Sequence, residues 1–219
     1  MKNIFIIDDH PLTISAYKSL LADEFGNNVE VIAAHNGNEI IAKCKLQIAT
    51  NKVIDLAIID YSIPASDTGN IKNGMDAATY ITTHFKDCKI VFLTMHNEPL
   101  LLQNLHLKFK PEGIISKNDI DSDSFPKIIR DIIEGGFYRS ETMIEALKVM
   151  MSKNLNFDEI DSQILLLIAN KVKSKDLINY INLSQSAIEK RKHKIKYQLI
   201  GDKGSDKELI SVAKAYKLI

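Results

Sequence analysis

The chain has 219 residues, 45% of them hydrophobic and 26% charged, with 28 basic and 28 acidic side chains and a formal net charge of zero. This composition excludes a fibrous or low-complexity chain and suffices for one large or two small cores, of which two domains is the better reading. No run approaches the roughly 20 apolar residues of a membrane span, and acids follow the first apolar residues too early for a signal peptide, so a cytoplasmic protein with no membrane partner is expected.

In chain order, strand-like runs lie near 3–8, 29–34, 54–60, 89–94 and 112–116, and amphipathic stretches near 11–25, 38–50, 74–86, 98–107 and 124–135. Strand and helix alternating five times predicts a parallel sheet with helices on both faces, joined by right-handed crossovers. Pro11 opens the first helix, Gly26 closes it, and Gly135-Gly136 follows the last. After Gly136 the β-type runs stop. Ser140 to Met151 reads as a connecting helix capped by Ser140, Ser152-Lys153-Asn154 as a polar break, and four short helices follow near 158–171, 174–181, 185–199 and 206–217. The expected division is 1–137, a linker helix and hinge at 138–155, and a small all-α domain at 156–219. Cys44 and Cys88 lack metal-ligand spacing and read as reduced, buried thiols.

The zero net charge conceals an asymmetry. Residues 1–135 carry 13 basic against 18 acidic side chains, a net of −5, whereas residues 136–219 carry 15 against 10, a net of +5. The carboxyl-terminal part is the one suited to a polyanion.

The chemistry concentrates at strand ends. Ile-rich runs stop at Asp8 and Asp9 in the first strand and at Asp60 in the third, and the carboxyl edge of an open α/β sheet is where ligands bind. Three acids suit a hard divalent cation such as Mg²⁺ and leave one carboxylate to act as a nucleophile. The fourth strand ends in Thr94 and the fifth in Ser116-Lys117, which adds a hydroxyl and an amine. Together these groups can hold a metal ion and a phosphoryl group.

Ile7-Asp8-Asp9-His10-Pro11, Asp60 with Pro64 four residues on, Leu93-Thr94 and Ser116-Lys117 resemble the receiver domain of two-component response regulators over essentially all of residues 1–135. The resemblance implies a flavodoxin-like, doubly wound parallel five-stranded sheet of order 2-1-3-4-5. It implies that Asp60 takes a phosphoryl group from a sensor histidine kinase, that Asp8, Asp9, Asp60 and the main-chain carbonyl of Ser62 hold Mg²⁺, and that Lys117 and Thr94 engage the phosphate. Phosphoryl transfer depends on in-line positioning and charge neutralisation, which a divalent ion and a lysine supply. Three departures stand out. Ile114 occupies the switch position usually held by an aromatic residue, Asn118 follows the lysine where proline is common, and Ala65 to Asn73 intervene before the glycine, Gly74, that opens the next helix. A non-proline cis bond costs roughly 2.5–4 kcal/mol, so a trans bond before Asn118 or a different loop is expected. The longer loop either gates the site or is a tolerated insertion.

In the carboxyl-terminal part, Ser184 is a plausible N-cap, and Asp176 to Leu199 has the rhythm of helix, short turn and second helix. That second helix carries Lys190, Arg191, Lys192, Lys194 and Lys196 against Glu189 alone. Phe157 to Leu199 resembles the LuxR-type DNA-binding domain, with Asp161, Lys175, Ser184 and Ile188 in matching places, although Ala187 and Arg191 replace the usual threonine and histidine. Both halves together resemble a NarL/FixJ-type regulator. At 100° per residue, Ile188, Ile195 and Leu199 define the buried face of this helix, so Ser186, Lys190, His193 and Tyr197 lie opposite, flanked by Glu189 and Lys194. The resemblance, carried over by the match at Ile188, implies base readers at Glu189, Lys190 and His193, which lie on that outward side, and Lys192, Lys194 and Lys196 are the expected phosphate contacts, with Lys175 and Ser186 completing the interface.

The expectation is therefore a regulator without enzymatic activity, phosphorylated on Asp60, that dimerises and binds double-stranded DNA. A haloacid-dehalogenase-type phosphatase would need a second Asp two residues after the first, and position 62 is Ser. A regulator that works without phosphorylation, its switch altered at Ile114 and Asn118, is the other alternative.

Overall fold

The computed structural model describes residues 1–153, 155–201 and 204–219; Asn154, part of the expected hinge, lies outside them. The described chain forms two compact units, Met1–Met95 with Pro111–Thr142, and His96–Lys110 with Met143–Ile219.

The first unit is a parallel sheet with β1 (Lys2–Ile7), β2 (Val29–Ala34), β3 (Leu56–Ile59), β4 (Lys89–Thr94), β5 (Gly113–Ser116) and β6 (Tyr138–Arg139). Its order is β2-β1-β3-β4-β5-β6, and every pairing is parallel. The predicted flavodoxin-like order is present, with one strand more than expected. Central strands are buried on both faces, which is why they read as continuous apolar runs. Alternate residues Ile4, Ile6, Leu56, Ile58, Val91 and Leu93 share one core cluster with Ile14 and Leu21 of α1 (Pro11–Phe25) and Phe125 and Ile129 of α5 (Ser124–Ile133). The opposite-facing Phe5, Ile7, Ala57, Ile59 and Phe92 are equally inaccessible to solvent, as are Ile40 of α2 (Gly37–Ala49) and Ile81 of α3 (Gly74–His84). Burial pushes the Cys44 thiol up to about 12 and raises that of Cys88 as well.

β6 was hidden from sequence patterning because it has only two residues. Its continuation makes up for that length. The Tyr138 N–H donates to the Glu112 carbonyl and the Ser140 N–H to the Ile114 carbonyl, while the Ser140 hydroxyl accepts from the Ser116 N–H at 3.0 Å. The Arg139 guanidinium donates to the carbonyls of Pro111 and Glu112. Residues 138–142 thus strap the outer side of β5. Ser140, expected to cap the connecting helix α6 (Glu141–Ser152), is drawn into the strap, and the Asp119 carboxylate accepts from both the N–H and the hydroxyl of Thr142.

The second unit is all-helical: α4 (Pro99–Phe109), most of α6, α7 (Glu159–Ala169), a 3₁₀ segment (Ser174–Asn179), α8 (Gln185–Ile200) and α9 (Asp206–Ala215). The stretch near 98–107, predicted among the helices of the sheet, forms α4 and clusters here. Its Leu100 shares a core with Ile164, Leu165, Ile188, Ile195 and Leu209, and the Leu100 N–H donates to the Leu218 carbonyl at 3.1 Å. Ser184 caps α8 through the Ala187 N–H as expected, and Asp158 with Asp161 forms a capping box on α7.

Candidate functional site

At the carboxyl edge of the sheet the chain leaves β1 into Asp8 and Asp9, β3 into Asp60 and β5 into Lys117. The register fixes their proximity, because Ile7 pairs with Ile59, and Thr94 with Ser116. Asp8 is 1% exposed and Asp60 6% exposed. Two carboxylates so far from water need a cation, and Lys117 Nζ supplies it, 2.6 Å from Asp8 Oδ2 and 2.7 Å from Asp60 Oδ2. Burial alone would depress the Lys117 pKa, but the hydrogen bonds to Asp60 and Asp8 and their charges outweigh it and hold the ammonium above its ordinary value. The lysine is placed through its backbone, its N–H donating to the Thr94 carbonyl at 2.8 Å.

The acids also have capacity to spare. Asp8, Asp9 and His10 each offer a ligand atom within 4.8 Å of the others. His10 Nδ1 lies 2.7 Å from Asp9 Oδ1, an ion-pair distance without hydrogen-bond alignment, and that buried oxygen has no hydrogen-bond partner among the described residues. An unpartnered carboxylate oxygen beside the Asp8 carboxylate is the kind of oxygen donor a hard divalent cation takes. His10, exposed beside this group, belongs to the motif read from the sequence but was assigned no function there.

The structure brings together Asp8, Asp60 and Lys117 directly. Thr94 is fully buried at the end of β4, and Ser62 is exposed, its N–H donating to Asp60 Oδ1 at 3.3 Å. Ile114 is fully buried within β5. Among the described residues no peptide bond is cis, so the bond before Asn118 is trans, as its chemistry predicted.

The longer loop after Pro64 folds onto itself. The Ser66 N–H donates to the Ile71 carbonyl, the Ile71 N–H donates to the Ser66 hydroxyl, and Ile71 is fully buried. The Gly37 N–H donates to the Pro64 carbonyl, tying the loop to the start of α2. Gly74 then returns the chain against the acid itself. Its N–H donates to the Tyr61 carbonyl at 2.8 Å, and a Cβ there would fall 2.8 Å from Tyr61 Cα and closer still to the Asp60 carbonyl oxygen.

In the helical unit, Ser186, Glu189, Lys190, His193 and Lys194 are exposed on α8, and Lys175 is exposed on the 3₁₀ segment. The cations of α8 differ sharply in their partners. Arg191 Nη1 reaches Asp158 at 2.6 Å and the fully buried Asp161 at 2.8 Å, and Lys194 Nζ is 2.5 Å from Asp161 Oδ2. Lys196 Nζ lies 2.7 Å from Asp206 Oδ1. Lys192, expected to meet phosphates, is only 6% exposed and hydrogen-bonds Ser174 and Asp206. Sequence reasoning missed these internal partners because Asp158, Asp161 and Asp206 lie 10 or more residues away along the chain, at or near the starts of other helices.

Residues 4–130 match the response regulator receiver domain family. Along nearly its whole length the chain is similar to curated proteins. It is 25% identical over 211 residues to the response regulator UvrY of Escherichia coli K12, covering 92% of this chain and 90% of that one. It is 27% identical over 229 residues to the oxygen regulatory protein NreC of Staphylococcus haemolyticus, covering 99% and 98%. Among solved structures, RcsB of Salmonella enterica serovar Typhimurium bound to promoter rprA with the phosphomimetic BeF₃⁻ superposes with a TM-score of 0.68 at 22% identity, over 98% of this chain and all of that one.

Proposed function

This chain belongs to the response regulator receiver family, and from that premise we propose that it is a NarL/FixJ-type two-component transcription regulator, phosphorylated on Asp60 by a sensor histidine kinase and acting in the cytoplasm. The observation that carries the reading is the single lysine bridging two nearly inaccessible aspartates at the ends of β1 and β3. Asp8, Asp9, Asp60 and the Ser62 carbonyl would hold Mg²⁺, which when bound neutralises developing oxygen charge during transfer. An Asp60 carboxylate oxygen forms the bond to phosphorus as the phosphohistidine P–N bond breaks. Lys117 and Thr94 lie at adjacent strand ends to meet the oxygens so introduced, and Ile114 fills the neighbouring switch position.

In this reading residues 1–137 are the receiver, 138–155 the linker and 156–219 a LuxR-type helix-turn-helix domain that binds double-stranded DNA as a phosphorylation-promoted homodimer. UvrY and NreC support it, being named as regulators and alike over both halves. Glu189, Lys190 and His193 are the base-reading set, and Lys175, Ser186, Lys194 and Lys196 flank it.

Incubation with a small phosphodonor and Mg²⁺ adds one phosphate to the wild-type protein and none to Asp60→Asn, and the modified protein protects promoter DNA in a footprint. A wild-type protein that stays unmodified yet gives the same footprint favours a phosphorylation-independent regulator, the reading that Ile114 supports.

A further inference from the structure

We propose that Lys192 is a positioning residue, which locks the turn segment Ser174–Asn179 to α8 and so sets the shape of the DNA-reading surface instead of contacting phosphate. The inference rests on the DNA-binding reading above and assigns one of its lysines a different task.

The helix geometry already sets Lys192 apart. At 100° per residue it falls about 40° from Ile188, at the border of the stripe that Ile188, Ile195 and Leu199 define, whereas Lys190 falls about 160° away. The side chain accordingly runs inward, and its ammonium finds an internal set of acceptors. Nζ lies 2.5 Å from Ser174 Oγ, 3.3 Å from Asp206 Oδ2 and 3.5 Å from Glu189 Oε2. The Ser174 hydroxyl closes the triangle by donating to Asp206 Oδ2 at 3.2 Å.

Three separate segments meet at this one nitrogen. Ser174 belongs to the turn segment and immediately precedes the exposed Lys175, Glu189 and Lys192 belong to α8, and Asp206 opens α9. A second bond repeats the tie between turn and helix, Gln185 Nε2 donating to the Ser174 carbonyl at 3.3 Å. Two of the three N–H donors of this ammonium are taken by Ser174 and Asp206 and its charge is further balanced by Glu189, which is why its burial is tolerable and why it is poorly placed to serve a phosphate. What it delivers to the surface is the placement of Lys175, Gln185 and Glu189.

The test uses the full-length protein treated with phosphodonor and Mg²⁺, a duplex selected by the wild type from a random pool, and a random-sequence duplex of equal length, titrated over a range of salt. Lys192→Met keeps the stem and removes the charge. It is expected to lower the preference for the selected duplex about tenfold, as one misread base pair does, and to leave the salt slope on random DNA unchanged. Lys192→Arg restores part of the preference. Ser174→Ala, which leaves Lys192 intact and keeps the test alive if Lys192→Met fails to fold, also lowers the preference without lowering the slope. A slope that falls by about one in Lys192→Met with the preference retained makes Lys192 a phosphate contact and overturns the proposal. Unchanged preference in both variants overturns it too. A wild-type protein that selects no duplex overturns the DNA-binding reading itself, and the proposal with it.

Discussion

Lys117 Nζ stands 2.7 Å from Asp60 Oδ2, so the carboxylate proposed to accept phosphate is neutralised by the residue proposed to bind the phosphate afterwards. The same ammonium serves Asp8. Lys117→Met should therefore leave two inaccessible carboxylates facing each other. Removing one partner of such a buried set costs about 3–5 kcal/mol. Urea unfolding followed by circular dichroism, suited to a chain without tryptophan, should show that loss in chelator and a partial recovery with Mg²⁺. Equal stability of the two proteins in chelator would show that the lysine is not what balances the acids.

The close approach of Gly74 to the Asp60 carbonyl ties the start of α3 to the acceptor's own backbone. Gly74→Ala should force that backbone to move, at a cost of about 1–3 kcal/mol, and slow phosphorylation from a small donor. Ala at the exposed Gly69, where φ is +68° but nothing lies within 4 Å, should strain only the loop and leave the phosphorylation rate alone. Identical rates for Gly74→Ala and the wild type would count against the tie.

Acid should weaken the helical unit in a definite window. Burial pushes the Asp158 carboxyl up, but the Arg191 hydrogen bond, the Asp161 N–H and nearby cations together carry it below its ordinary value; Asp206 is lowered in the same way against its own burial by Lys196 and Lys192. Groups depressed in the folded state stabilise it above the unfolded aspartate pKa of about 3.9, and that contribution is lost as pH falls through the folded value. Thermal melts should hold steady from pH 7 to about 5 and then fall, and Asp158→Asn should flatten the acid limb. A variant with the same acid dependence as the wild type would remove Asp158 from the account.

Two neighbours on α8 should separate cleanly. Arg191→Ala leaves the fully buried Asp161 with Lys194 as its remaining cation, and should cost about 2–3 kcal/mol of stability, below the full penalty for an abandoned buried charge. Lys190→Ala should leave stability unchanged, cost about 1–3 kcal/mol on a selected duplex and relax its sequence preference. If Lys190→Ala weakens selected and random DNA equally, its place among the base readers is wrong.

Strand ends could be read from the sequence because a parallel sheet buries both faces of each strand, which leaves unmistakable apolar runs broken by carboxylates at Asp8 and Asp60, whereas the strand order followed only from the family resemblance. Chemistry that depends on those ends came with them. β6 was not legible, because two residues carry no periodicity, and neither was the clustering of α4, whose pattern does not say which apolar surface it meets. Lys192 falls between these cases. The same angular arithmetic that placed Ile188 inward puts Lys192 beside it, but counting charge along the helix grouped Lys192 with Lys194 and Lys196 as phosphate contacts. Which carboxylates answer them is a property of helix packing, and Asp161 and Asp206 become neighbours of α8 only in three dimensions.

The strap formed by residues 138–142 also decides where the sheet can be cut. A chain ended after residue 137 would lose Tyr138, Arg139 and Ser140 and leave the outer side of β5 unpaired, its Ser116 N–H and Glu112 and Ile114 carbonyls turned outward. Unpaired strand edges recruit other chains. Such a fragment should therefore self-associate in sedimentation as its concentration rises, whereas one ended after residue 142 should carry its own closing strand and stay monomeric until phosphorylated.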